Sequence, residues 1–486
     1  MSAKTSLFLG KAKFIGSIIC LLFSSAAFCE GRIVHSLSVH HDSLDTPTPV
    51  GFIYTSTNDS SDNKVIRLTR YSDGSVGNES VFSTAGKGAA NPNSSGKTYG
   101  NFNSQGAIKI IGNYLLVVNA GNSTISVFQL NKSDGNLSLI SEVPSGGLRP
   151  VSIASAESLA NDDERWVLVA NQESNPVIVG DDENPQMYPN KDYFSQDLTA
   201  PDPSDRQRNI SVFKFNTKTG ALTKQPEPLL TFNRDNGGPT SISLDYLRQT
   251  IAVSTNGIAQ IIPDPQSSDL QLEHPSNIIL KGFNKLTGGL SDWPNGSWKL
   301  SGISGISSIN FSKHFGNVVY FPVSNLATSK QDHEAVSLYQ NAYQLKVNSN
   351  IALNDGPNTP QGDGWSVLSP DGMTLYVSSF NRNSIETVHI DSTFGKFIDS
   401  DPVVNRGDYA PTGDSKDLYV TPDNKYIYNL GAFRSYSLSG FAIDSDDGKL
   451  SYLGQYTYQL TKDAVGKPGV YNFMGLTGFD IEKPQG

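Results

Sequence analysis

The chain has 486 residues, 37% of them hydrophobic and 17% charged, with a formal net charge of −10 and a mean hydropathy of −0.32. That balance excludes an intrinsically disordered chain, and 44 Gly with 26 Pro are too few for a collagen or a low-complexity protein. The acidic excess argues against nucleic acid and anionic membrane surfaces as partners.

Residues 1–29 read as an export signal. Lys4, Lys11 and Lys13 form a positive start, Phe14 to Phe23 a short apolar run, and Ser24 to Cys29 a small-residue exit, with cleavage expected after Ala27 or Cys29. The run is too short to cross a bilayer and no other segment approaches the length needed, so a secreted protein, extracellular or periplasmic, without a membrane span is predicted. Both cysteines, Cys20 and Cys29, fall in this segment, which leaves the remainder without an internal disulfide. Residues 30–49 read as a leader.

From residue 50 one phrase recurs. An apolar run ending near Asn or Ser is followed by a second alternating run, an Asp-Gly or Thr-Gly turn, and a third run, as in NYLLVVNAGNSTISVFQLNKSDGNLSL (113–139). Seven such starts are visible: GFIYTSTND (51–59), NYLLVVNAGN (113–122), RWVLVANQE (165–173), TIAVSTNG (250–257), NVVYFPVSN (317–325), TLYVSSFN (374–381) and YIYNLGAF (426–433). The spacing holds four antiparallel strands per unit, so an all-β, seven-bladed β-propeller of four-stranded antiparallel blades is predicted over residues 50–486, as a single domain and a monomer. Its first unit begins at a second strand, and the tail MGLTGFDIE (474–482) matches an unpaired first strand. The C-terminal strand is therefore expected to complete blade 1 and remove an exposed edge. Residues 174–208 interrupt the third unit as a loop insertion, and residues 258–300 read as a degenerate fourth blade carrying another loop.

The phrases NYLLVVNAGNSTISVFQL, DGNLSLISEVPSGGLRPVSIA, LSPDGMTLYVSSFNRNSIETVHI and TPDNKYIYNLGAFRSYSLSGFAIDSDDGKLSYLGQ resemble the seven-bladed lactonase family. That family contains 6-phosphogluconolactonases and carboxymuconate-lactonizing enzymes, and secreted carboxymuconate cyclase-like proteins are the most similar. The resemblance implies lactone hydrolysis or lactonization without a cofactor, on a small lactone or carboxylate ligand. It also implies an Arg-His pair at an inner-strand start, in phrases resembling G-P-R-H-x-x-F. Here GGPTSISL (237–244) sets Thr240 and Ser241 at those places, which leaves open an inert propeller that binds a ligand or an extracellular protein through the face bearing the insertion.

A cofactor-free lactone site needs a cation for carboxylate or oxyanion and a group that moves a proton. Positions at inner-strand starts and second-strand ends can converge. Among these Arg149 is a candidate carboxylate clamp, Glu173 and Asp363 candidate acids or bases, and Lys416, between Asp414 and Asp417, a candidate catalytic cation. Asn119, Asn171, Trp365 and Arg434 are candidate ligand contacts. No metal site is predicted: DSDDGKLSYLGQ (444–455) has Gln455 where a calcium loop needs Glu, and no Cys/His cluster has zinc spacing.

Overall fold

The computed structural model describes residues 46–89, 104–172, 178–179, 187–188, 208–232, 238–247, 249–255, 258–260, 271–274, 276–299, 306–324, 333–341, 344–353, 363–380, 382–407 and 413–482. Seven antiparallel sheets of at least four strands follow one another along the chain, one per predicted unit, and form the predicted seven-bladed propeller. From the innermost strand outward, blade 2 is Ile108–Ile111, Tyr114–Asn119, Thr124–Leu130 and Leu137–Pro144. Blade 3 is Pro150–Glu157, Glu164–Asn171, Asn209–Asn216 and Leu222–Lys224, and blade 4 is Pro239–Leu244, Thr250–Thr255, Asn277–Asn284 and Gly289–Lys299. Blades 5, 6 and 7 begin at Asn310–Phe311, Asp363–Leu368 and Ser415–Val420.

Blade 1 closes the ring as expected. Its three N-terminal strands, Pro49–Ser56, Lys64–Tyr71 and Val76–Ser83, are completed on the inside by Met474–Asp480. Gly51 pairs with Asp480 and Ser56 with Met474, and the hydroxyls of Thr55 and Ser56 donate to the carbonyls of Gly475 (2.7 Å) and Met474 (3.0 Å). The apolar core is divided among the blade junctions. One cluster joins blades 7 and 1 through Tyr428, Tyr436, Ile53 and Leu68, and another joins blades 4 and 5 through Leu280, Phe321 and Leu338. Each second strand is therefore apolar on both faces, because both face a neighbouring sheet.

The repeated phrase has a second purpose at these junctions. A second-strand aromatic reaches the glycine of the next blade's outer hairpin turn: Tyr114, Trp166 and Tyr320 stand where a Cβ on Gly220, Gly288 and Gly395 would go, and Tyr54, Tyr376 and Tyr428 reach Gly135, Gly448 and Gly74 through their hydroxyls. The hydroxyls of Tyr54 and Tyr428 donate to Gly135 O (2.7 Å) and Gly74 O (2.8 Å). Every one of these glycines has positive φ, between 64° and 83°, and at Gly135 and Gly74 it is the neighbouring rings of Phe52 and Tyr426 that occupy the space a Cβ would fill. Six junctions are latched in this way. At the seventh, between blades 4 and 5, Ala252 stands where Tyr376 and Tyr428 stand, three residues before the strand end, and the facing turn Asn341–Gln344 contains no glycine.

The fourth blade departs from the sequence reading. Residues 277–299 are two strands, and among the described residues of the insertion before them lies a short hairpin, Ile258–Gln260 with Gln271–His274. The segment SDWPNGSW looked like loop because Pro and Gly punctuate it. It is the outermost strand, where Pro294 costs no ladder bond: Lys281 pairs with Asn295 and Gly282 with Ser291, so Asp292 to Pro294 bulge out. In blade 3 the strands before and after the 174–208 insertion pair directly, Asn171 with Asn209. Apart from Ile178–Val179 paired with Met187–Tyr188 and Arg208, that insertion lies outside the described residues.

Candidate functional site

Inner strands start at one face of the ring, and there the ladder slips by one residue in five blades. Pro150 pairs with Asn171 but Ser152 with Ala170, leaving Val151 over. Thr240, Gly364 and Gly475 are left over in the same way in blades 4, 6 and 1. In blade 7 Ser415 pairs with Gly431 and Leu418 with Asn429, and the bulged segment is Lys416-Asp417. A bulge turns a side chain out of the alternation of the strand. Four blades spend it on Val, Thr or Gly, and blade 7 alone spends it on two charges.

Counted from the last paired residue, Lys416 and Asp417 hold the positions of Thr240 and Ser241 in blade 4, the very places the family resemblance reserves for Arg and His. Both side chains are buried. The Lys416 ammonium lies over the rings of Trp365 (5.4 Å) and Phe380 (5.8 Å) and donates to Asn472 Oδ1. Trp365 in turn is fixed by its indole N–H on Ser104 O at 2.9 Å and stacks obliquely on Phe380, which meets Phe433. Burial pushes Lys416 down to about 7, against the opposing pull of Asp417 and Asp414 and with the help of the Arg149 charge. Burial pushes Asp417 up to about 7, although the Gly475 N–H donates to it at 3.2 Å and Lys416 attracts it. Near neutral pH the two groups hold on average one proton between them.

Arg149 lies two residues before the bulged Val151 of blade 3, with a φ of 55° that few non-glycine residues adopt. Its Nε and Nη2 are closed off from solvent, and burial lowers its pKa to about 10, so it stays cationic at neutral pH. Its charge is felt at Lys416 across the blade 3 and blade 7 inner-strand starts. Asp414 does not share this role. It accepts Arg406 Nη1 at 2.8 Å and the N–H groups of Phe433 (2.8 Å) and Arg434 (2.7 Å); burial acts to raise its pKa, and Arg406 with these donors holds it below the usual carboxylate range. Arg434 donates Nε to Gly413 O at 3.1 Å and rests on the Phe433 ring.

Asn119 and Asn171 are committed to their neighbours. Asn119 donates to Thr124 and Ser126 and accepts from Asn63, and Asn171 donates to Asn209 Oδ1 (2.9 Å) and Ser211 Oγ (3.0 Å). They tie strand ends together at the rim. Asp363 pairs with Ser379 at the start of the blade 6 inner strand, and Glu173 lies outside the described residues. The contributions of Asn472, Phe380 and Gln105 were not foreseen. Gln105 bridges the ring centre, its Nε2 donating to Ser366 O (2.8 Å) and its Oε1 accepting the Ser366 N–H (3.1 Å). With Gly106 it forms a floor below the mouth, over a central cavity of about 510 Å³ lined by inner strands of all seven blades and by Asp417. Contacts between residues far apart in the sequence define Asn472 and Gln105, and no local motif marks them. Among the described residues no group of His, Cys, Asp and Glu could hold a metal ion, and no helix is long and apolar enough to cross a membrane.

Residues 57–183 match the family model described as lactonase, 7-bladed beta-propeller, which bears out the resemblance read from the sequence. No curated protein matches the chain. Among solved structures, a candidate 6-phosphogluconolactonase from Bacteroides fragilis superposes with a TM-score of 0.53 at 14% identity, over 88% of this chain and 98% of that one. A second, from Bacteroides uniformis, gives 0.51 at 16% identity over 88% and 99%. A protein from Lactobacillus plantarum gives 0.56 at 13% identity over 89% and 99%. At these identities the likeness is one of fold.

Proposed function

We propose that this lactonase-type propeller hydrolyses a small polyhydroxylated lactone at the mouth formed by Arg149, Trp365, Lys416 and Asp417, without a cofactor and as a secreted monomer. The observation that carries the reading is the blade 7 bulge, which sets a buried amine and a buried carboxyl where four other blades set Val, Thr or Gly. An amine near pKa 7 is a competent general base at neutral pH. Lys416 as the free amine takes a proton from water as its oxygen adds to the lactone carbonyl, and the new oxyanion is met by the Arg149 guanidinium. When the tetrahedral centre collapses, the ring C–O bond breaks and the Lys416 ammonium returns the proton to the departing alkoxide, giving a hydroxy acid. Trp365 and Phe380 offer the ring a flat apolar wall.

Polar atoms around the mouth favour a hydroxylated ring over a flat unsaturated acid. Ser104 Oγ, Ser307 Oγ and both amide atoms of Gln172 are buried without a hydrogen-bond partner, and all three residues sit at inner-strand starts or a second-strand end on this face. Unmet buried donors and acceptors are costly unless a ligand meets them. The test is a pH-stat assay of the purified protein against sugar lactones and muconolactones. Acid release is expected with sugar lactones, with Lys416→Ala and Arg149→Ala each lowering kcat about 100-fold or more. No turnover by folded protein would support the second reading, an inert propeller binding its ligand or an extracellular protein at this face, which the missing Arg-His pair favours.

A further inference from the structure

The unlatched junction opens into a groove. Between blades 4 and 5, at the face where inner strands end, a groove of about 490 Å³ is lined by Asp245, Leu247, Phe283, Trp293, Asn317 and Gln340 among others. Where other junctions bring an aromatic to a turn glycine, this one has the small Ala252, buried in the apolar cluster that joins blades 4 and 5. The size falls in the range of small-molecule sites.

Two features show that the groove is shaped and not merely empty. The first is the bulge in the outer strand of blade 4. Asp292 to Pro294 leave the ladder, and Ser291 Oγ donates to Trp293 O at 3.1 Å. Gly282 makes this possible, since a side chain there would strike Ser291 and the Trp293 backbone. The result is a Trp293 indole at the groove that is 63% exposed, an unusual place for so much apolar surface. The second is Gln340, only 5% exposed, whose backbone is clamped by Asn317 while its Oε1 has no hydrogen-bond partner. Gly296 opposite leaves room for that amide.

We infer that this groove binds a neutral saccharide, one sugar ring stacking its C–H face on Trp293 and donating a hydroxyl to Gln340 Oε1. The charges select against ionic ligands. Asp245 is buried at the groove wall with Oδ1 taking the N–H groups of Gln249 (2.7 Å) and Thr250 (3.3 Å), which disfavours an anion. Lys285 is turned to Leu247 O at 3.0 Å and to Glu157 at 3.9 Å, so its charge is already answered. A purely apolar ligand would leave Gln340 Oε1 desolvated and unmet, which costs affinity. A pyranose supplies both an apolar face and donors. The site is distinct from the mouth, and its occupancy is independent of lactone turnover.

The experiment is saturation-transfer NMR on the full chain with methyl glucosides, galactosides and mannosides and with cellobiose and maltose, paired with tryptophan fluorescence titration. Transfer to ring protons of at least one sugar is expected, weakened about tenfold in Trp293→Ala and weakened also in Gln340→Leu. Lactone turnover should be unchanged in Trp293→Ala, which removes an exposed side chain far from Lys416. No transfer with any of these sugars overturns the proposal, as does binding that survives Trp293→Ala. Binding of the apolar dye ANS at Trp293 without any sugar binding would overturn it too, and would assign the groove to an apolar ligand.

Discussion

Lys416 and Asp417 make opposite demands on pH, and the fold bears both. Asp417 is held near 7 against an ordinary value of 3.8, so its neutral form contributes stability that is complete below about 3.8 and lost as pH rises through 7. Lys416 is held near 7 against 10.5, so its contribution is complete above about 10.5 and lost as pH falls through 7. The two losses meet near neutrality, where the pair weighs most on the fold. The double variant Lys416→Met/Asp417→Asn is therefore expected to be more stable near pH 7 by about 1–4 kcal/mol, as when buried ion pairs are replaced by uncharged side chains. Thermal unfolding between pH 5 and 9 checks it: the native protein should show a shallow minimum near 7 that the variant lacks. A variant with the same pH profile would mean that the pair is solvated, and would remove the basis for Lys416 as a base. A buried pair held at a cost in stability fits the proposed role of Lys416 and Asp417 in chemistry.

At the scale of strands and turns, most of the architecture was legible because it rests on local chemistry. The Asp-Gly and Thr-Gly turns announce hairpins, the apolar runs announce strands covered on both faces, and seven repetitions announce a ring. The bulges were not legible. Their consequence, that GDSKDLYV and GGPTSISL align with Lys416 over Thr240, follows from which backbone groups pair, and that is set by the neighbouring strand and not by the phrase itself. The blade 4 edge strand was missed for the related reason that Pro and Gly at a ladder edge look like loop. Gly475 shows how tightly a bulge is fitted. Its φ is 75°, and a Cβ there would stand 2.8 Å from Ile108 N, whereas Gly112, with φ 58°, has nothing within 4 Å. Both Gly→Ala changes meet the left-handed penalty of about 1 kcal/mol. Gly475→Ala should lose a further 1–3 kcal/mol, roughly the cost of overpacking a filled core, and urea unfolding of the pair of variants separates the two terms. Equal losses would show that the closing strand shifts freely.

For the whole molecule the decisive contact is between its two ends. Residues 51–56 and 474–480 pair across more than four hundred residues of chain, and the Ile481 N–H reaches Val50 O at 2.9 Å. Residues 50–486 contain no cysteine, so no covalent bond backs this closure. Opening the ring between blades 7 and 1 requires that a strand be stripped from its sheet, which is slower than parting two packed faces. A circular permutant tests the point. Joining residue 482 to residue 49 by a short linker and starting the chain at Met474 makes every blade contiguous while keeping all the same contacts, since those ends already lie side by side. Blade 1 then forms locally, so folding should be faster, as expected when contact order falls. Blade 7 would meet blade 1 by packing alone, and unfolding should be faster by several-fold, because the closing ladder no longer has to break before the ring opens. Stopped-flow unfolding in urea measures both limbs. An unchanged unfolding rate would place the barrier in the blades themselves and leave the closing strand as a device against edge-to-edge association only.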